Sequence, residues 1–536
     1  MLRLFAIFVS LLAVSTHTYG EDAHHHLALG ERELGTVHFP ISCSSTVQKS
    51  FERGVALLHS FAFETAEATF REVARNDPKC AMAHWGIARS FWRWSWPDGP
   101  TLNHGWQEVV LAKSLHPATK REEEYIDSIA ALFRNPENRN EQRWDNYTGA
   151  LKRLHSDYPD DHEATAFYAA ALTGTDQNDP THERRREAAA LLEPLFATEP
   201  DHPGVAHYLI HAYDTPGLAQ LGLPAARRYA SIAPAAPHAL HMPSHIFARL
   251  GLWQEDIDSN LASLEASRNA DAAHMEDKGH QFHAMEFLMY AYLQCGRESD
   301  AQRLMEEVKT LPLMKDMYGV GFDPRISALA NYSATYALEL HDWKMAESLP
   351  QLSGEELGDL AGLYFVRALG AAHLGHVEEA KRDAIEMETV RTKLQEQHKD
   401  WIANAVEQDH RTVLAWIAHA EGRNEDAVQG LSALAENDEG LFSAEGELPG
   451  HEMLADLLME LNRPQEALVQ YRAELKINPN RFDSLYGAGL AAEKSMEPKE
   501  AAALYDQFLK VCSIAHSSRP ELAHAQAYIA TMASTK

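Results

Sequence analysis

The chain lacks the short motifs that mark most enzymes. It has no Gly-rich phosphate loop, no GxSxG elbow, no HExxH pair and no CxxC pair. Nothing local therefore supports phosphate-loop, serine-hydrolase, motif-type zinc-peptidase or dithiol redox chemistry. Positive charge is scarce: 48 Lys and Arg face 78 Asp and Glu, for a formal charge of −30. Such a surface repels nucleic acid and anionic lipid, so neither is expected as a partner. Valine and isoleucine rarely alternate with polar residues, which argues against a sheet. After residue 20 no run of about 18 apolar residues occurs, so no membrane insertion is expected. Cysteine is limited to Cys43, Cys80, Cys295 and Cys512.

The N-terminus, MLRLFAIFVSLLAVSTHTYG, has a positive start, an apolar centre and small residues at its end. It reads as a secretory signal peptide over residues 1–20, so the mature protein is expected outside the cytoplasm, periplasmic or secreted. Residues 21–39, which begin EDAHHH, read as a flexible segment whose His24, His25 and His26 belong to a mobile tail. Export permits disulfides. Cys43 precedes the first predicted helix and Cys80 the third. In an array of helical hairpins the starts of alternate helices lie side by side, so a Cys43–Cys80 bridge is predicted. Cys295 and Cys512 fall far apart along such an array and read as buried thiols.

A chain of 536 residues is too long for one core and suits several domains or a repeat array. The repeat is plainest at 451–479. Leu454, Ala455, Leu458, Ala467, Tyr471 and Pro479 fall where two short antiparallel helices need packing residues, a small contact and a stop. Related spacing recurs around Gly54/Ala66/Phe70, Gly296/Ala301, Gly375/Ala380, Gly422/Ala427 and Gly489/Ala501/Tyr505. The expectation is an all-α fold: a tetratricopeptide-like (TPR-like) α-solenoid, a superhelix of antiparallel helix hairpins. Residues 40–310 carry a histidine-rich groove and residues 311–536 the more regular repeats. Segments 92–106 and 173–185 break the period and read as insertions.

In a TPR array, repeat positions 2, 5, 9 and 12 of the first helix line the concave groove. The turn glycine Gly251 puts His238, His241 and His245 at positions 2, 5 and 9. Gly296 and Ala301 put His283, Glu286 and Tyr290 there, and counting from Pro200 puts His207, His211 and Asp214 at 5, 9 and 12. His207, His241 and Glu286 are expected in one row, and His211, His245 and Tyr290 in the next. The i, i+4 spacing of His207/His211 and His241/His245 puts each pair on one helix face, as a chelating pair requires. Any one of these histidines is explained by ordinary half-buried packing; the grouping on three successive helices is what argues for a site. His59, Trp85 and Arg89 are expected to line an aromatic, basic N-terminal groove, with Trp92, Trp94, Trp96, His104 and Trp106 near it.

The blocks DHPGVAHYLIHAYDTPGLA and LPAARRYASIAPAAPHALHMPSHIFARLGLW, with CAMAHWGIARSFW and TKREEEYIDSIAALF, resemble a family of exported bacterial TPR proteins. The resemblance covers residues 35–295 and implies the fold and export, with no known activity.

Two functions fit. One is a groove site that binds a metal ion, a small molecule or both, with His207, His211, His241 and His245 as ligands and Asp214 or Glu286 as a further ligand or general base. Imidazole and carboxylate ligands suit zinc, copper or iron without choosing among them. The other is a scaffold whose groove holds a peptide or partner helix. The oligomeric state is left open.

Overall fold

A computed structural model describes residues 33–92, 99–135, 140–174, 181–272, 279–311, 324–436 and 448–534. Residues 1–20, expected as a signal peptide, His24 to His26, Trp94 and Trp96 lie outside the described residues. Helices joined by short turns make up nearly all of the rest, and no strand occurs among the described residues. The fold is a TPR-like helical-hairpin solenoid.

Local sequence explains the helices. Phe63–Asn76 buries Phe63, Ala66, Phe70 and Val73, spaced three and four apart on one face. Its Phe70 ring fills the space over Gly54 and Gly86, where an added Cβ would approach it to 2.7 and 2.4 Å. Tyr505 sits over Gly489 in the same way near the C-terminus. A large ring on the second helix of a hairpin thus keys against small residues on the flanking first helices. Each helix packs on its successor, and first helices also pack on one another: Gln48–His59 on Ala81–Ser90, His162–Thr173 on Pro203–Tyr213, and Leu357–His373 on Asp400–Ala420.

The superhelix winds tightly enough to touch itself. Gln48–His59 packs against Pro203–Tyr213, many hairpins later, and Gly279–Gln294 packs against Phe482–Lys494. The second closure is specific. Trp253 Nε1 donates to the Asn480 carbonyl at 2.9 Å, and Asn480 Nδ2 donates to the Gly251 carbonyl at 3.1 Å. Gly251 has a positive φ of 63° and lies so near Pro479 that a Cβ would meet its carbonyl oxygen at 2.0 Å. Arg481, fully buried, donates to Tyr290 Oη, Glu339 and Glu452 at 2.8–2.9 Å. Burial alone would depress this guanidinium, but Glu339 and Glu452 hold it well above its ordinary value.

Self-contact changes several sequence expectations. Tyr290 does not join a histidine row; it is buried under Arg481. Trp85 and Arg89 do not line an open groove. Trp85 packs among Phe39, Phe51, Phe70, Tyr125 and Phe167, and Arg89 is buried beside the Phe167 ring. Residues 33–39, expected in the flexible segment, are anchored: Leu34, Val37 and Phe39 are buried, and Thr36 N donates to the Asp201 carbonyl. Cys43 and Cys80 are bonded to each other. Cys295 and Cys512 are buried thiols, but the returning C-terminal helices bring them within electrostatic reach, so they are not far apart. The buried apolar residues form three clusters, over 34–247, 248–332 and 337–525.

Candidate metal centre

The histidines sit where the first closure forms. His207 and His211 lie one turn apart on Pro203–Tyr213, a helix begun by Pro203 and capped by His202 Nδ1 accepting from Val205 N. His238 and His241 lie on Pro237–His241, and His245 on Pro243–Arg249. Pro243 divides these two short helices, yet Met242 keeps helical angles (φ −51°, ψ −33°). The rings of His241 and His245 therefore stay on one face, one turn apart. His280 and His283 come from Gly279–Gln294.

The rings form two trios, and these are not the expected rows. In the first, His207 Nε2 lies 3.0 Å from both His211 Nε2 and His238 Nε2. In the second, His241 Nε2 lies 3.1 Å from His245 Nε2, and His283 completes a set whose ligand atoms lie within 4.8 Å of one another. His207, His238, His241 and His245 are buried; His211 and His283 are half-buried and form the solvent side.

The outer nitrogens determine the tautomers. His207 Nδ1 donates to the His59 carbonyl at 2.6 Å, which leaves a lone pair on its Nε2. His280 Nε2 donates to the Phe61 carbonyl at 3.4 Å, so His280 Nδ1 accepts from His238 Nδ1 at 3.1 Å, and His238 Nε2 is also bare. In the second trio His245 Nδ1 donates to Asp214 Oδ2 at 2.9 Å. His241 Nδ1 donates to Asn260 Oδ1 at 2.6 Å, and that amide is oriented because its Nδ2 donates to Asp256 at 2.7 Å. His207 Nε2 thus faces His238 Nε2, and His241 Nε2 faces His245 Nε2.

Burial and neighbouring imidazoles hold His207, His211, His238, His241 and His280 below the ordinary histidine value. Burial, then His211, pushes His207 well below the ordinary histidine value. Burial with His280 does the same for His238, and burial with His283 for His241. Burial and His245 bring His211 down to about 3, and burial brings His280 down to about 4. Asp214 is buried, which alone would raise it, but Arg249 and His245 hold it well below the usual carboxylate range.

The carboxylates are placed differently from expectation. Both Asp214 oxygens are used, Oδ2 by His245 and Oδ1 by Arg249 at 2.9 Å, so Asp214 orients a ring from behind. Glu286 lies at the half-exposed edge, 3.2 Å from His283 Nδ1.

A third group, His59, Glu163 and His202, resembles the trios only in composition. His202 Nε2 and His59 Nε2 both point at the Glu163 carboxylate, at 2.9 and 2.7 Å, while His59 Nδ1 meets Tyr208 Oη at 2.9 Å. Burial would raise Glu163, but His202 and His59 hold it far below its ordinary value. Every ring nitrogen has a partner of suitable polarity, so this is a buried carboxylate clamp. It fixes the end of Gln48–His59, whose His59 carbonyl receives His207.

Sequence reasoning gave no role to His280, Phe61, Phe287, Asn260 or Arg249. Arg249 follows His245 by four residues, a legible signal. Phe61 reaches the rings through the closure of Gln48–His59 on Pro203–Tyr213, and Asn260 through packing of the following helix, Trp253–Ala272, on Pro237–His241.

No known protein family matches the chain, and no curated protein matches it. Among solved structures it is similar to a human IFIT1 dimer with m7Gppp-AAAA, at 12% identity and TM-score 0.33, covering 80% of this chain and 90% of that one. It is also similar to the Cut9 hetero-tetramer structure with Hcn1 from APC/C, at 10% identity and TM-score 0.32, covering 90% and 89%. A monomeric IFIT1 variant with Gppp-AAAA overlaps at 12% identity and TM-score 0.34, covering 88% and 98%. Overlaps this loose transfer no ligand and no role.

Proposed function

We propose that this chain is an exported TPR-like solenoid that binds a transition-metal ion through histidines at its N-terminal closure, with a small molecule able to reach the ion. The observation that carries this reading is the His241–His245 contact. Two imidazoles, each with its Nδ1 on a side-chain oxygen, face each other through their Nε2 atoms at 3.1 Å. Such a contact repels if both nitrogens carry lone pairs, and is relieved by a cation, a proton or a metal ion, held between them. Two nitrogens bound to one tetrahedral ion at about 2.0–2.1 Å would stand roughly 3.3 Å apart, so a few tenths of an ångström of opening suffice. The Asp214 and Asn260 contacts behind the rings are the outer support that metal-binding histidines use. An all-imidazole set suits zinc, copper or iron. Three protein nitrogens leave a position for water or a small molecule, and half-buried His283 and Glu286 lie on the approach to it. The Cys43–Cys80 bond supports export, because such bonds persist in oxidising compartments.

The test is metal retention. Purified, tag-free mature protein is offered zinc or copper, desalted and analysed for bound metal. Near-stoichiometric retention is expected, and the His207→Ala/His241→Ala variant should lose it while keeping its helical circular dichroism. Wild-type protein that retains no metal ends this reading.

A scaffold role is favoured by one separate feature. A cavity of about 340 Å³ opens among Pro324–Glu339, Leu357–His373 and Asp400–Ala420, lined by Leu338, Leu363, Phe365 and Val366 together with Asp359 and Asp409. It fits an apolar peptide side chain beside a lysine or arginine. A metal-free result with binding of such a peptide would favour this role.

A further inference from the structure

The His241–His245 pair has a counterpart. In the other trio the conflict arises through different partners: His207 is set by the His59 carbonyl, and His238 by the relay through His280 to the Phe61 carbonyl. His207 Nε2 and His238 Nε2 then face each other bare at 3.0 Å, with His211 Nε2 also 3.0 Å from His207 Nε2. One cation at His241 and His245 does not relieve this second conflict.

The two trios are built alike. Each has two buried rings and one half-buried ring, His211 in one and His283 in the other. Each packs on one phenylalanine. The Phe61 ring centre lies 4.5, 4.9 and 5.8 Å from those of His207, His238 and His211. The Phe287 ring centre lies 4.6, 4.9 and 5.2 Å from those of His245, His241 and His283. Between trios the nearest ring centres are 6.1 Å (His238–His241) and 6.3 Å (His211–His245) apart. Each set also keeps ring contacts of its own, 4.7 and 4.8 Å in the first and 4.5 and 5.0 Å in the second.

We infer that the closure holds two transition-metal ions side by side, one on His207, His211 and His238 and the other on His241, His245 and His283. This rests on the metal-binding reading above and adds a second ion to it. With metal–nitrogen bonds of about 2 Å and the observed ring spacing, the ions stand no more than about 13 Å apart. The sites differ in charge. Asp214 and Glu286 are hydrogen-bonded to rings of the second trio, whereas the first is hydrogen-bonded to backbone carbonyls and His280, with the Arg185 cation donating to the His211 carbonyl. The second site therefore fills first, and the first site, gaining no carboxylate, follows at least about tenfold more weakly.

The probe is copper(II), added to the mature protein with His24, His25 and His26 changed to alanine so that the tail contributes nothing. Calorimetric titration should show two ions per chain in two steps. At two equivalents the electron paramagnetic resonance spectrum should be broadened by the neighbouring ion, and at half an equivalent it should be sharp. His245→Ala should remove the tighter step and His207→Ala the weaker one, each leaving one ion and a sharp spectrum. Retention of a single ion, or loss of both ions from either variant, overturns the two-ion centre and leaves the metal-binding reading intact. No binding at all overturns both. Where a variant does not fold, the wild-type stoichiometry and spectral width decide the matter alone.

Discussion

His207, His238 and His241 are imidazoles with almost no contact with water, and their outer nitrogens are committed to protein acceptors. Such rings have a pH signature. Burial holds all three, with His211 and His280, below the ordinary histidine value, so they stay neutral in the fold as the unfolded chain begins to protonate near pH 6.5. The unfolded state then binds more protons, and stability falls as pH falls. Each ring contributes up to about 1.4 kcal/mol per pH unit below 6.5, until its folded value is reached. The melting temperature of metal-free protein should therefore drop steeply between pH 7 and pH 5, and the His238→Gln variant should show a shallower drop. A flat profile would mean that the rings are hydrated.

At the level of elements, a solenoid gains stability wherever something besides nearest-neighbour packing ties its hairpins together. The Cys43–Cys80 bond joins the segments that lead into Gln48–His59 and Ala81–Ser90, across a sequence separation of 37 residues. Closing a loop of that size contributes about 3–4 kcal/mol. The Cys43→Ser/Cys80→Ser variant should unfold at lower denaturant by that amount. Gln48–His59 also carries the His59 carbonyl that sets His207, so this variant should weaken metal retention at the first trio before the second. Unchanged denaturant midpoints would show that packing alone holds the N-terminal hairpins.

The whole molecule depends on its two self-contacts. The second is centred on Arg481, which brings its charge into the interior against Glu339 and Glu452 and reaches Tyr290 on Gly279–Gln294. Removing such a cation leaves two buried carboxylates without a counter-charge, at a cost of about 3–5 kcal/mol. Arg481→Ala should lower the unfolding midpoint accordingly. It should also speed hydrogen exchange in both Gly279–Gln294 and Phe482–Lys494, which are far apart in sequence. Faster exchange in the C-terminal helix alone would mean that the contact is peripheral. Gly279–Gln294 also bears His280 and His283, so this closure steadies the second trio from behind.

Local pattern was enough to read the all-α TPR-like fold. Apolar residues three and four apart, turn glycines such as Gly296 and Gly422, and stops such as Pro479 act within a hairpin, and a hairpin is short enough for its sequence to specify it. The i, i+4 spacing likewise marked His207/His211 and His241/His245 as pairs on one face, since a helix sets that geometry by itself. The grouping of those pairs was decided elsewhere. Which histidine meets which depends on the offset between neighbouring first helices, and which distant residues cover them depends on a small rotation per repeat that accumulates over several hairpins and that no single repeat encodes. Packing of neighbouring hairpins brought His238 to His207, and His283 with Phe287 to His241; winding placed Phe61 against the first trio and Arg481 over Tyr290, and Trp85 and Arg89 are buried where an open groove was expected. The sequence alone determined the helices and the faces on which the imidazoles stand; only the tertiary structure decided which nitrogens face each other and what covers them, because that depends on the offset between neighbouring hairpins and on the closure that brings Gln48–His59 to Pro203–Tyr213.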